Sequence, residues 1–167
     1  MDGIGLVIDT GALEYATRLV SGLGDFERRD LLSSIGALGE SQTRRRIVDE
    51  KTGPDGTPWP PNREGTPILV RSGQHLLASV SWIAGSDEVQ WGAGWEYAHV
   101  HQDGMTIVPK TAQRLVFTSG GKKVHAKKVT IPPRPFVGLS SDNIAEIEEL
   151  VSDVFGGAFD APVPVAP

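Results

Sequence analysis

The run Pro54-Asp55-Gly56-Thr57-Pro58-Trp59-Pro60-Pro61 lies within residues 52–66, where proline, glycine and asparagine are too dense for helix or strand. Proline fixes φ and has no amide hydrogen, and Pro-Asp-Gly is a turn sequence. A stretch this long without regular structure is ordered only by packing on something. Trp59 is the expected anchor. Flanked by Pro58 and Pro60, it has little backbone freedom to lose on being pinned. Packing in its own subunit is preferred over an interface role, because buried aromatics mostly serve packing.

Before this segment the pattern is largely helical. Ile4, Leu6 and Ile8 alternate with Gly5 and Val7 as in a short strand, and Asp9-Thr10 offers a helix cap. Leu13, Ala16, Leu19 and Val20 recur at helical spacing until Gly22 and Gly24 interrupt. Asp25 then caps a longer helix carrying Leu31, Leu32, Ile35, Leu38, Ile47 and Val48. After the segment the pattern turns to strands. Leu76-Leu77 suggests a helical turn, and the runs 80–83 and 89–91 alternate around Gly85-Ser86-Asp87 as a β-hairpin. Residues 97–102 read as a short helical segment closed by Asp103-Gly104, and 106–108, 114–118 and 127–131 as three more strands. Between the last two, residues 119–126 form a polar, basic excursion that no core requires, expected as a flexible hairpin tip.

Asp142 is the expected cap of a final helix whose Ile144, Ile147, Leu150, Val151, Val154 and Phe155 form an apolar stripe that must pack on the sheet. These elements predict an α+β fold: a small antiparallel sheet, an N-terminal helical pair and a C-terminal amphipathic helix packed on it. A length of 167 residues with 39% hydrophobic content suits one domain, 1–155, with loops at 52–66 and 119–126 and a flexible Pro/Ala-rich tail at 156–167.

Sixteen basic residues against 21 acidic ones, a formal charge of −5, lack the basic excess that phosphate neutralisation asks of a DNA-binding module. With no cysteine, disulfides and thiolate metal sites are excluded, and folding in a reducing cytoplasm is permitted. Asp2 in place of a basic region and a short apolar run at 4–8 do not suggest secretion, and nothing approaches the ~18 apolar residues of a membrane span. A soluble protein is expected.

The chemistry-bearing residues do not assemble by motif. His99 and His101 diverge on a helix, and His75 and His125 stand far off in sequence, so neither a metal nor another cofactor is expected. Arg44-Arg45-Arg46 would fan around a helix rather than share a face, which favours a solvated helix end near the negative dipole over a phosphate clamp. A small hydrolase built on dispersed carboxylates such as Glu14, Glu40 and Asp49 is an alternative, set below a solvated helix face.

Pro54-Asp55-Gly56-x-x-Trp59, Leu69-x-x-Ser72-Gly73-x-x-x-x-Ser79, Trp91-Gly92, Tyr97-Ala98-x-x-x-His101-Gln102-x-Gly104 and Ile131-Pro132-x-Arg134-Pro135-Phe136-x-Gly138-Leu139 follow the opening strand and helices in a fixed order. In that order and spacing, over most of residues 2–155, the chain resembles the Mu-type phage virion morphogenesis, or tail completion, family. Asp103 stands where members often have an aromatic before the glycine, and the insert around Lys122-Lys123 is specific to this chain. The resemblance implies a non-enzymatic virion protein at the head–tail junction or the head-proximal end of the tail, assembled in the host cytoplasm. It implies a ring, expected as a hexamer, that meets the tail tube and head–tail connector proteins and no membrane.

A ring of heterologous contacts needs two complementary patches per subunit, and the loops and tail are candidates. Trp59 and Phe136, each held by flanking prolines, are expected to fix the loops nearest the subunit contacts, with Arg134 holding the final connection by an ion pair or by carbonyl contacts. In a second reading Lys122, Lys123, Lys127 and Lys128, with His125, form a positive ring around phage DNA in a neck channel.

Overall fold

The computed structural model describes residues 4–7, 25–70 and 74–160, with side chains defined for 28–70 and 75–155. Strand β1 (Ile4–Val7) comes first; the helix expected between residues 10 and 24 and its Asp9-Thr10 cap lie outside the described residues. Helix α1 (Asp25–Arg45) runs on into one π-helical turn (Arg46–Glu50) and stops at Lys51, whose left-handed φ of 56° lets its amide reach the Arg46 carbonyl at 3.0 Å.

The short helix α2 (Gln74–Ala78) leads into β2 (Val80–Ala84), which forms an antiparallel hairpin with β3 (Val89–Ala93). The Gly85 amide closes the loop on the Glu88 carbonyl at 2.8 Å. β1 pairs antiparallel with the other edge of β3, so the order is β1-β3-β2. Trp91 therefore stands opposite both Leu6 and Trp82.

α1 lies across β2 and β3, and two of its glycines explain how close it comes. A Cβ at Gly39 would sit 2.5 Å from the Trp91 ring, and one at Gly36 would sit 2.7 Å from the Trp82 ring. Each glycine costs about 1 kcal/mol of helix propensity, offset by seating a tryptophan against bare backbone.

Helix α4 (Ser141–Asp160) packs along α1, and its Ile147 shares one core cluster with Leu31, Leu32, Ile35, Val89 and Trp91. A second cluster joins Ile47, Trp59, Leu76, Val80, Ala93, Ala98, Phe136 and Val137. The α+β class is that read from the sequence. Helix α4 continues through Gly156-Gly157 to Asp160. Glycine weakens a helix without obliging it to stop.

Helix α3 (Ala98–Asp103) is followed by two small antiparallel ribbons, β4 (Met105–Ile107) with β7 (Val129–Ile131), and β5 (Leu115–Ser119) with β6 (Lys122–Ala126). The second ribbon corrects the expectation for 119–126. Most of that segment is strand, and the excursion shrinks to a turn at Gly120-Gly121, with φ of 58° and 75°. A Gly-Gly pair at positive φ closes a two-residue hairpin and brings Lys122 opposite Ser119. Glu64 then accepts hydrogen bonds from the Ser119 hydroxyl and from the Gly120 amide, the latter at 2.7 Å, so the turn is pinned to the 52–66 loop.

Candidate functional site

Residues 131–140 contain Pro132, Pro133 and Pro135, which have no amide hydrogen to offer a sheet, so the segment's carbonyls need other donors. Three side chains from distant elements meet that need, and Arg134, within the segment, ties it to the 52–66 loop. Gln102, at the end of α3, acts as a one-residue strand partner. Its carbonyl accepts the Phe136 and Val137 amides at 3.0 and 3.1 Å, and its amide donates to the Val137 carbonyl at 3.0 Å. The Trp59 indole donates to the Pro135 carbonyl at 3.2 Å, with the ring itself in the core. Arg46 donates to the carbonyls of Gly138 at 2.7 Å and Phe136 at 3.3 Å, and to the Asn143 side chain. Arg134 reaches back to the 52–66 loop, donating to the Pro60 carbonyl through Nε at 3.1 Å and Nη2 at 2.8 Å, while its own amide donates to the His101 carbonyl at 2.7 Å.

Gly138 completes this clamp, because a Cβ there would overlap the Pro54 ring. The 52–66 loop is folded as tightly: Thr52 bridges Pro58, Gly53 donates to the Thr57 carbonyl at 2.8 Å, and Trp59 donates to the Lys51 carbonyl at 2.8 Å.

The arginine triplet departs from the solvated helix end read from the sequence. The three do fan out, but each finds a partner far away in the chain. Arg44 donates to the Leu77 and Val80 carbonyls, both at 2.8 Å, and pairs with Glu40 at 2.8 Å. Arg45 bridges Glu50 at 2.9 Å and Glu146 at 2.7 Å, and Arg46 is 1% exposed. Burial pushes the Arg46 guanidinium below its ordinary value, with Glu50 opposing and Arg45 adding to that shift. The same partners, Glu50 first and Glu146 next, hold Arg45 above its own. A triplet signals nothing locally about acceptors 90 residues on, so the sequence could not have found them.

Asp142, the expected helix cap, is displaced by its neighbours. Ser140 caps α4, with the Asn143 amide donating to its hydroxyl and the Ser140 amide donating to the Asn143 side chain, both at 3.2 Å. Asn143 is thus shared between the cap and Arg46. Beside it a cleft of about 710 Å³ is lined by Arg45, Glu50, residues 52–56, residues 140–143 and Glu146.

The predicted site residues do not converge on one point. Trp59 and Phe136 are buried in one cluster, and Arg134 joins their two segments, so these three belong to the clamp. Lys122 and Lys123 stand exposed on β6. His101 stacks on Trp95 at 5.8 Å between ring centres, and His75 stacks on the same indole at 6.1 Å. Burial, with Arg134 nearby, holds the His101 imidazole below its usual range. Among the described residues, no three His, Asp or Glu side chains converge as metal ligands. Glu40 is paired with Arg44, Asp49 is exposed in the π turn, and Glu14 lies outside the described residues.

Comparison with known proteins brings these elements together. The chain is similar to "Tail completion protein S" of Escherichia phage P2, 25% identical over 150 residues that cover 81% of this chain and 89% of that protein. It is also similar to "Mu-like prophage FluMu G protein 2" of Haemophilus influenzae, 31% identical over 93 residues. That match covers 56% of this chain and spans about half of the relative, 54% of its length. No solved structure matches the chain. The profile of the phage virion morphogenesis family matches residues 8–156, which include every segment of the clamp, and the chain belongs to that family.

Proposed function

We propose that the chain is a non-enzymatic structural protein of a phage virion that acts in tail completion, as a ring subunit joining the head-proximal end of the tail to the head. The near full-length similarity to the P2 tail completion protein supports the tail assignment. The observation that carries the assembly reading is on β4. Met105, Ile107 and Val108 are 40%, 36% and 57% exposed on and just beyond a strand that pairs only with β7 among the described residues. A free strand edge with exposed apolar side chains on and beside it is a surface that a lone soluble subunit ordinarily hides. The clamp around residues 131–140 supports the reading by fixing β7, and through it β4, before any partner arrives.

Light scattering on the purified full-length chain tests this. Discrete species at multiples of 17.9 kDa are expected. A single 17.9 kDa species at every concentration would contradict a self-assembling ring. The lysines of β6 favour a second reading, in which the ring lines a channel and touches passing DNA.

A further inference from the structure

Hairpin β5–β6 is amphipathic, and its apolar face belongs to neither core. Leu115 and Phe117 on β5 and Val124 and Ala126 on β6 alternate with exposed residues, are half-buried, and fall outside both clusters. Lys122 and Lys123 on β6, and Lys127 and Lys128 just beyond it, are all exposed, and none of the ion pairs among the described residues involves them. Four unpaired cations within seven residues are unusual on a chain of net charge −5.

The complementary surface is on the same chain. The cleft at the start of α4 holds four carboxylates, Glu50, Asp55, Asp142 and Glu146, against the single guanidinium of Arg45. Arg45 is already engaged by Glu50 and Glu146. Asp55 accepts hydrogen bonds from Thr57, and Asp142 accepts one from the Ser141 hydroxyl, so neither carboxylate faces a cation. No residue of the hairpin lines the cleft.

We propose that the lysines of the β5–β6 hairpin dock in the acidic cleft of a second copy of this chain, Lys to Asp55 and Asp142, as one heterologous contact of the ring; the inference rests on the assembly reading above. Two copies of charge −5 repel as whole molecules, so their approach favours orientations in which the basic hairpin of one meets the acidic cleft of the other. Basic hairpin and acidic cleft are different patches, and a head-to-tail contact of that kind is what a ring requires, provided the rotation between copies closes. The surface is set in advance, because Glu64 holds the hairpin turn through Ser119 and Gly120. Duplex DNA, the other basic-patch ligand, would meet an acidic protein everywhere except at this hairpin.

The test is a charge swap in the full-length chain, read by light scattering at low and high salt. One variant carries Lys122→Glu, Lys123→Glu, Lys127→Glu and Lys128→Glu; the other carries Asp55→Lys and Asp142→Lys. Each alone is expected to need about tenfold more protein to assemble, with the salt dependence of assembly reduced. Mixing the two restores assembly as a mixed oligomer, since the acidic hairpin of one fits the basic cleft of the other and the reverse. Restoration also shows that both variants fold. If wild type assembles and both variants assemble as well as it does, the contact is overturned while the ring stands. If neither wild type nor the mixture assembles, both fall. If the hairpin variant assembles normally but loses salt-sensitive binding to a DNA duplex, the hairpin is a nucleic-acid surface and the proposal is wrong.

Discussion

Arg46 shows how one side chain organises the fold. Its guanidinium supplies the Phe136 and Gly138 carbonyls and the Asn143 side chain at once, and if it is removed the two carbonyls lose this donor while Asn143 keeps only the Ser140 amide. Arg46→Met is therefore expected to destabilise the protein by about 3–5 kcal/mol, and Arg46→Lys by somewhat less, because a point charge cannot fork between acceptors. Denaturant midpoints would measure both. His101 makes a prediction about pH. Burial lowers its folded pKa below the ~6.5 of the unfolded chain, so on acidification the unfolded state takes up the proton first. Stability should hold above about pH 6.5 and fall as pH drops from there through the folded value. Replacing His101 by Phe, which can still stack on Trp95, should flatten that part of the stability profile. An unchanged slope would mean the imidazole is not the titrating group.

At the scale of elements, α1 and the β2–β3 hairpin are fitted to each other through glycine. Gly39→Ala gains up to about 1 kcal/mol of helix propensity but drives a methyl into the Trp91 ring, an overpacking cost of about 1–3 kcal/mol. A net loss of thermal stability is expected, and a gain would show that α1 can shift off the sheet. Gln102→Ala should cost about 2–3 kcal/mol by orphaning the Phe136 and Val137 amides, with Gln102→Glu milder because its oxygens still accept from both. How much of this was legible varies by element. The hairpin around residues 85–87 and the helical segment before Asp103-Gly104 carried their periodicity in the open and are present within a residue or two, and α4 is present too, with Ile147 buried but Ile144 and Val154 of its stripe exposed. β6 was missed because Lys122-Lys123 masks its alternation, although Gly120-Gly121 is a hairpin signal that could have found it. The clamp was half legible. Its residues were singled out in the right segments, but side-chain bonds spanning 70 to 100 positions leave no local pattern, so Arg46 is read from the sequence as part of a solvated helix end and Asn143 carries no signal.

For the whole molecule, family membership, the preset clamp and the uncovered surfaces point the same way. Two cores and the clamp hold the described residues together and leave the β4 edge and the lysine hairpin exposed, and these are the surfaces on which the proposed assembly rests. The central claim is that this shape closes the tail and joins it to the head, and electron microscopy of particles from a phage lacking only this chain tests it directly. The account predicts filled heads and tails that accumulate unjoined, with joined virions restored when the chain is supplied in trans. Joined, infectious particles in its complete absence would contradict it.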